Sequence, residues 1–154
     1  GESGALTKDF RELGRSLGKL LDGERGRAAL VVSTDLAHRH WANTSFGKSN
    51  RAAPFDAACG MWVTAPTWGL MDRLREDVDE VSACGFLGLA LLHGVLESVG
   101  GIGAWRGIVE AGPTAPTYYG MMAATFHRLQ MGSVPASSRR EPSTPRSGDA
   151  SLLI

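Results

Sequence analysis

The chain has only two cysteines, Cys59 and Cys84, too few for a disulfide framework. With no signal peptide in view, they read as free thiols in a reducing, cytoplasmic compartment. No charge of one sign prevails, since sixteen basic residues face sixteen acidic ones. A nucleic-acid partner would call for a clustered basic excess, and a membrane surface for a polybasic patch; neither is present. Long apolar runs are missing too. The longest, Gly85 to Leu96, is about a dozen residues with His93 inside it, whereas a bilayer span needs roughly 20. It reads as a core helix. There is no internal repeat, GxGxxG, P-loop, CxxC or HExxH.

What is there fits one soluble globular domain: 154 residues, 43% hydrophobic and 21% charged. The domain is expected over residues 1–130. Beyond it, GSVPASSRREPSTPRSGDAS offers almost nothing to bury, so residues 131–154 read as a disordered Ser/Pro/Arg tail. Gly1-Glu2-Ser3-Gly4 leads directly into a helix, with no initiator methionine and no opening strand. Such a start suggests a chain cut from something longer, although a cloning remnant has the same look.

From about Thr7 to Leu21, Phe10, Leu13, Leu17, Leu20 and Leu21 share one helical face. Thr7 or Asp9 suits the start, with a capping-box spacing from Asp9 to Glu12, and Gly23 suits the stop. Gly14 and Gly18 each cost up to ~1 kcal/mol in a helix, which a close approach to a sheet would explain. Ala28 to Ser33 is continuously apolar and β-branched, the pattern of a strand buried on both faces in a parallel sheet. Helix then buried strand is part of a doubly wound α/β unit, whose ligand crevice lies beyond the carboxyl ends of the strands. Asp35 and His38 fall there. Residues 41–53 read as a long loop, followed by a helix from Pro54, a short helix over Thr67 to Leu74, and a solvated acidic segment from Glu76 to Glu80. Cys84 opens the buried helix, and two strands follow, Ile102 to Glu110 and Thr117 to His127, around the turn GPTAP.

The chemistry candidates start at STDLAH. An imidazole at a strand's carboxyl end exchanges protons near neutrality, and a carboxylate three residues earlier supports it. Equally, Asp35 caps a turn and His38 is a surface residue, since a D-x-x-H pair is common. For Cys84, a thiol at a helix start faces the positive end of the helix dipole, which favours the nucleophilic and metal-binding thiolate; an ordinary buried cysteine is the alternative. Cys59 reads as core, His93 as a hydrogen-bonded core histidine and His127 as exposed. His40 lines the same crevice if the chain turns after His38. Asp35, His38, His40 and Cys84 are a conceivable zinc set, although their spacing matches no closed motif. Tyr118 and Tyr119 point to opposite faces of a strand, so at most one reaches the site, and Tyr118 is assigned to the substrate crevice.

Three segments in order carry a resemblance. ALVVSTDLAHRH resembles the strand and Asp-Leu-Ser-His motif of the class III extradiol ring-cleavage dioxygenases and their Memo-like relatives. ACGFLGLALLHGVLE resembles the helix that begins at an active-site ligand in that superfamily, and APTYYGMMAATF resembles its closing strand. The match covers about residues 5–128.

The resemblance implies a partial doubly wound sheet with flanking helices, corresponding to the carboxy-terminal half of that fold. It implies Fe(II), with copper or zinc as other possibilities, acting on a small aromatic, catecholic substrate and dioxygen. His38 matches the acid/base histidine and Asp35 the motif's aspartate. Cys84 falls at the metal-binding glutamate position, where Memo-like members also carry cysteine. The family's two ligating histidines belong to an amino-terminal half that this chain does not contain, so a partner chain, the missing half or a homo-oligomer is expected. Three readings follow: part of an extradiol dioxygenase-like oxidoreductase; a Memo-like protein that binds metal or a peptide without cleaving rings; or a non-catalytic remnant or regulatory subunit.

Overall fold

The computed structural model describes residues 2–129 and 151–153. Within them the chain is mixed α/β, with four helices and a small sheet. Helix α1 spans Glu2–Asp22, strand β1 Ala29–Val31, α2 Ala52–Thr64, α3 Trp68–Val81 and α4 Phe86–Ser98. A single 3-10 turn, Ile102–Ala104, leads into β2, Trp105–Thr114, which is followed by β3, Met121–Arg128, and β4, Ser151–Leu153. The strands lie in the order β1-β4-β3-β2. Only β1 and β4 run parallel; β3 is antiparallel to both of its neighbours.

Apolar run length makes α4 the centre. Leu89, Ala90, Leu92, His93, Val95 and Leu96 are all buried in it, as expected of a helix that is hydrophobic all round. It meets Trp62 and Val63 of α2, Met71 and Val81 of α3, and Phe126 of β3 in one continuous core. Helix α2 lies across β2 and β3, α3 touches α2 and α4, and α1 lies along α4.

Several expectations change. Helix α1 starts at Glu2, so Thr7, Asp9 and Glu12 lie inside it rather than at a cap. Its glycines do answer to a close approach, but to α4 and not to a sheet. A Cβ on Gly14 would fall 1.9 Å from the Leu91 carbonyl oxygen, and one on Gly94 would fall 2.0 Å from that of Arg11. With the contact centred on these glycines, Leu13 and Leu20 turn outward and are 54% and 66% exposed.

Strand β1 is not buried on both faces: Leu30 and Val32 pack on the core, while Val31 is 64% exposed. Among the described residues its paired neighbour is β4, and its second face is left exposed at Val31. The acidic segment Glu76 to Glu80 is the end of one longer helix, because Leu70, Leu74, Val78 and Val81 continue the inward spacing through it. The Thr67 hydroxyl caps that helix by accepting from the Leu70 N–H at 3.3 Å. The tail expected over residues 131–154 falls mostly outside the described residues, and its Ser151–Leu153 portion is β4.

Candidate functional site

After β1 the chain runs to His40 held by backbone bonds from two sides. The Leu36 N–H donates to the Gly120 carbonyl at 3.2 Å, the Gly120 N–H to Ala37 at 2.8 Å, and the His40 N–H to Tyr118 at 3.1 Å. From the other side, the His38 N–H donates to Val81 at 2.9 Å. Leu36 and Ala37 are buried, so the core itself anchors the residues just before His38.

Gly85 brings the third partner. A Cβ there would stand 1.5 Å from Thr34 Oγ1 and 2.5 Å from the Asp35 carbonyl oxygen, so only glycine lets this turn reach the strand end. Cys84 therefore sits in the turn before α4, exposed, rather than in the helix itself. Its Sγ is 3.8 Å from His38 Nε2, and Asp35 Oδ2 is 3.4 Å from the same nitrogen. The donor atoms of all three residues lie within 4.8 Å of one another.

Aromatic rings enclose this histidine. Phe46 meets the His38 ring edge-on with centroids 5.4 Å apart; Tyr118 and Tyr119 stand at 5.9 and 5.8 Å. Phe46 and Tyr118 stack, 5.7 Å apart and 15° from parallel. The His38 side chain keeps only 13% of its exposure, against 53% for Asp35. Both tyrosines reach the site because residues 116–119 form a bend and β3 begins only at Met121, so strand alternation does not separate them.

His40 goes elsewhere. Its Nε2 lies 2.8 Å from Oδ2 of Asp56, a buried carboxylate on α2 whose other oxygen accepts the Ala37 N–H at 2.9 Å. Burial pushes the Asp56 carboxyl above its ordinary value against the opposing pull of Ala37 and His40. Gly120 makes room for this pair, since a Cβ would stand 1.8 Å from Asp56 Oδ2.

Phe46 and Asp56 were not singled out by the sequence, and Tyr119 was weighed there but left out in favour of Tyr118. A lone acid inside the otherwise apolar stretch AAPFDAACGMWV was the available signal for Asp56. Phe46, in a polar loop, gave none.

The remaining candidates are structural. His93 is buried, accepts from Trp62 Nε1 through Nδ1 at 3.2 Å, and approaches Glu97 at 3.4 Å. Burial lowers it to about 4. Burial alone would raise Glu97, but bonds from Arg11 and Arg15, with His93 close by, bring it below its ordinary value. Cys59 is buried, which pushes its thiol up, and His127 is exposed on β3.

Cys84 also lines a cavity of about 200 Å³ whose apolar walls are Leu6, Val78, Ala83, Phe86 and Leu87. No helix among the described residues is long and apolar enough to cross a membrane. No family model, curated protein or solved structure matches the chain.

Proposed function

We propose that this chain is the carboxy-terminal portion of a class III extradiol dioxygenase-like protein, in which His38 exchanges protons with a catecholic substrate. The observation that carries the reading is the ring enclosure: three aromatic rings with centroids within 6 Å surround His38, whose Nε2 also has the Asp35 carboxylate beside it. Edge-to-face or offset contacts of this kind contribute about 0.5–1.5 kcal/mol each beyond area burial, and a flat aromatic ligand is the kind that these rings would favour. His38 Nε2 takes the proton of a ring hydroxyl, and Asp35 steadies the imidazolium that results. The partial doubly wound sheet belongs to this reading too, because β1 is an edge at which further parallel strands would add.

The resemblance implies iron on two histidines and a carboxylate, and the residues present do not fit that set. Cys84 stands at the carboxylate position, His40 is committed to Asp56, His93 lies in the core, and His127 contacts Thr125 on β3. The two histidine ligands would come from outside this sequence, and ring cleavage is proposed for the larger protein only.

The closeness of Cys84 to His38 supports a second reading, a Memo-like metal-binding protein without ring cleavage. Oxygen uptake by the complete iron-loaded protein on catechols separates the two. The first reading expects uptake that falls roughly a hundredfold or more in His38→Ala. Uptake undiminished in that variant sinks it, and bound iron with no uptake favours the second.

A further inference from the structure

We infer that Asp35, His38 and Cys84 form a binding site for a thiophilic divalent cation of the zinc type, built wholly from this chain. The geometry begins with one nitrogen. Cys84 Sγ and Asp35 Oδ2 both approach His38 Nε2, at 3.8 and 3.4 Å. In a nucleophile–base–carboxylate relay, the nucleophile and the carboxylate take opposite nitrogens of the ring. Here they converge on the same one. Three donors converging on one point suit a cation among them, not a proton passed along a line.

The spacing agrees. Zinc bonds of about 2.3 Å to sulfur, about 2.0–2.1 Å to nitrogen and about 2.0–2.2 Å to oxygen place tetrahedral ligands roughly 3.6 Å apart for S and N, and roughly 3.3 Å for N and O. The observed separations are within a few tenths of an ångström of these. The third edge, Sγ to the carboxylate, lies within 4.8 Å and closes by rotation of two exposed side chains. The frame is set beforehand, by the backbone bonds of residues 36–40 and by the close approach at Gly85.

Thiolate with imidazole selects zinc over magnesium or calcium, and binding releases the Cys84 proton to solvent. Three protein ligands leave a fourth position for water or another small ligand. Phe46 and the two tyrosines wall the histidine with apolar surface, which limits solvent access to the bound ion.

The inference goes beyond the ring-cleavage reading and does not rest on it, since it uses only donors of this chain and no substrate. It carries a consequence for that reading all the same. A cation on Nε2 occupies the lone pair that proton transfer uses, so the metal-bound and proton-transferring states of His38 exclude each other.

The test titrates the full 154-residue chain, reduced and metal-free, with Co(II) and then Zn(II). Expected are one equivalent of cobalt, a thiolate-to-cobalt charge-transfer absorption with the strong visible bands of four-coordination, and displacement by one equivalent of zinc. Cys84→Ser should abolish the charge-transfer band, and Asp35→Asn and His38→Ala should each weaken zinc binding roughly tenfold or more. His127→Ala should change neither. Cys84 and Asp35 are exposed, so those variants should retain the wild-type circular dichroism. No cobalt uptake, a charge-transfer band that survives in Cys84→Ser, or wild-type zinc affinity in both Asp35→Asn and His38→Ala would overturn the inference. Catechol binding is measured without metal, so failure here and failure of the dioxygenase reading are told apart.

Discussion

His40 and Asp56 are joined at 2.8 Å, and the second oxygen of Asp56 holds the N–H of Ala37, the residue before His38. One buried carboxylate thus fixes the backbone on which the candidate acid/base group is carried. Asp56→Ala leaves the Ala37 N–H buried and unpaired, at a cost of about 1–3 kcal/mol, readable as a lower urea midpoint.

The same pair makes a pH prediction. Burial raises Asp56 in the folded state, so its contribution to stability is fullest below the ordinary carboxylate range and is lost as pH rises through the raised value. The stability advantage of wild type over Asp56→Asn should therefore shrink as pH rises from about 4 to 7. A constant or growing advantage contradicts the assignment.

His93 runs the other way. It is lowered to about 4 by burial, so its contribution is fully present above the ordinary histidine value and is lost as pH falls toward about 4. The loss is of order 3 kcal/mol across that range. Urea unfolding between pH 7 and pH 4 should show it, and His93→Gln should flatten the slope.

The α1–α4 contact predicts an exception to helix propensity. Gly14→Ala and Gly94→Ala gain up to ~1 kcal/mol of propensity, yet each drives a methyl group into backbone of the other helix. The net result should be a loss of about 1–3 kcal/mol. Gly69→Ala in α3 meets nothing within 4 Å and should be neutral or stabilising. Thermal unfolding of the three variants is the check.

Phe46 separates ligand binding from folding. It is 40% exposed, so Phe46→Ala should leave the melting temperature nearly unchanged. Catechol affinity should fall roughly two- to tenfold, the equivalent of one lost aromatic contact. Isothermal titration on both proteins measures it, and an unchanged affinity would remove Phe46 from the site.

Local pattern carried part of this structure and long-range contacts the rest. The dozen-residue apolar run from Gly85 identified α4, and a β-branched run ending at STDLAH placed Asp35 and His38 together. Cys84 was a candidate because a helix begins near it, but its meeting with His38 depends on Gly85 passing Thr34, 51 positions away in the chain. His40 was given to the crevice because no local signal reports Asp56 on the next helix. Both tyrosines entered the site because the chain bends where alternation was expected. The acidic run from Glu76 hid the continuation of α3, although Val78 and Val81 kept its spacing. The joining of β4 to β1 and β3 has no local signature at all.

The most direct test of His38 as the chemical centre is long-range 1H–15N NMR of its imidazole during titration of the metal-free chain with catechol. Binding in the aromatic crevice should shift the His38 Nε2 and ring-proton resonances, saturating at one equivalent, with those of His127 unmoved. An unchanged His38 spectrum at excess catechol, or equal shifts at His127, would contradict it.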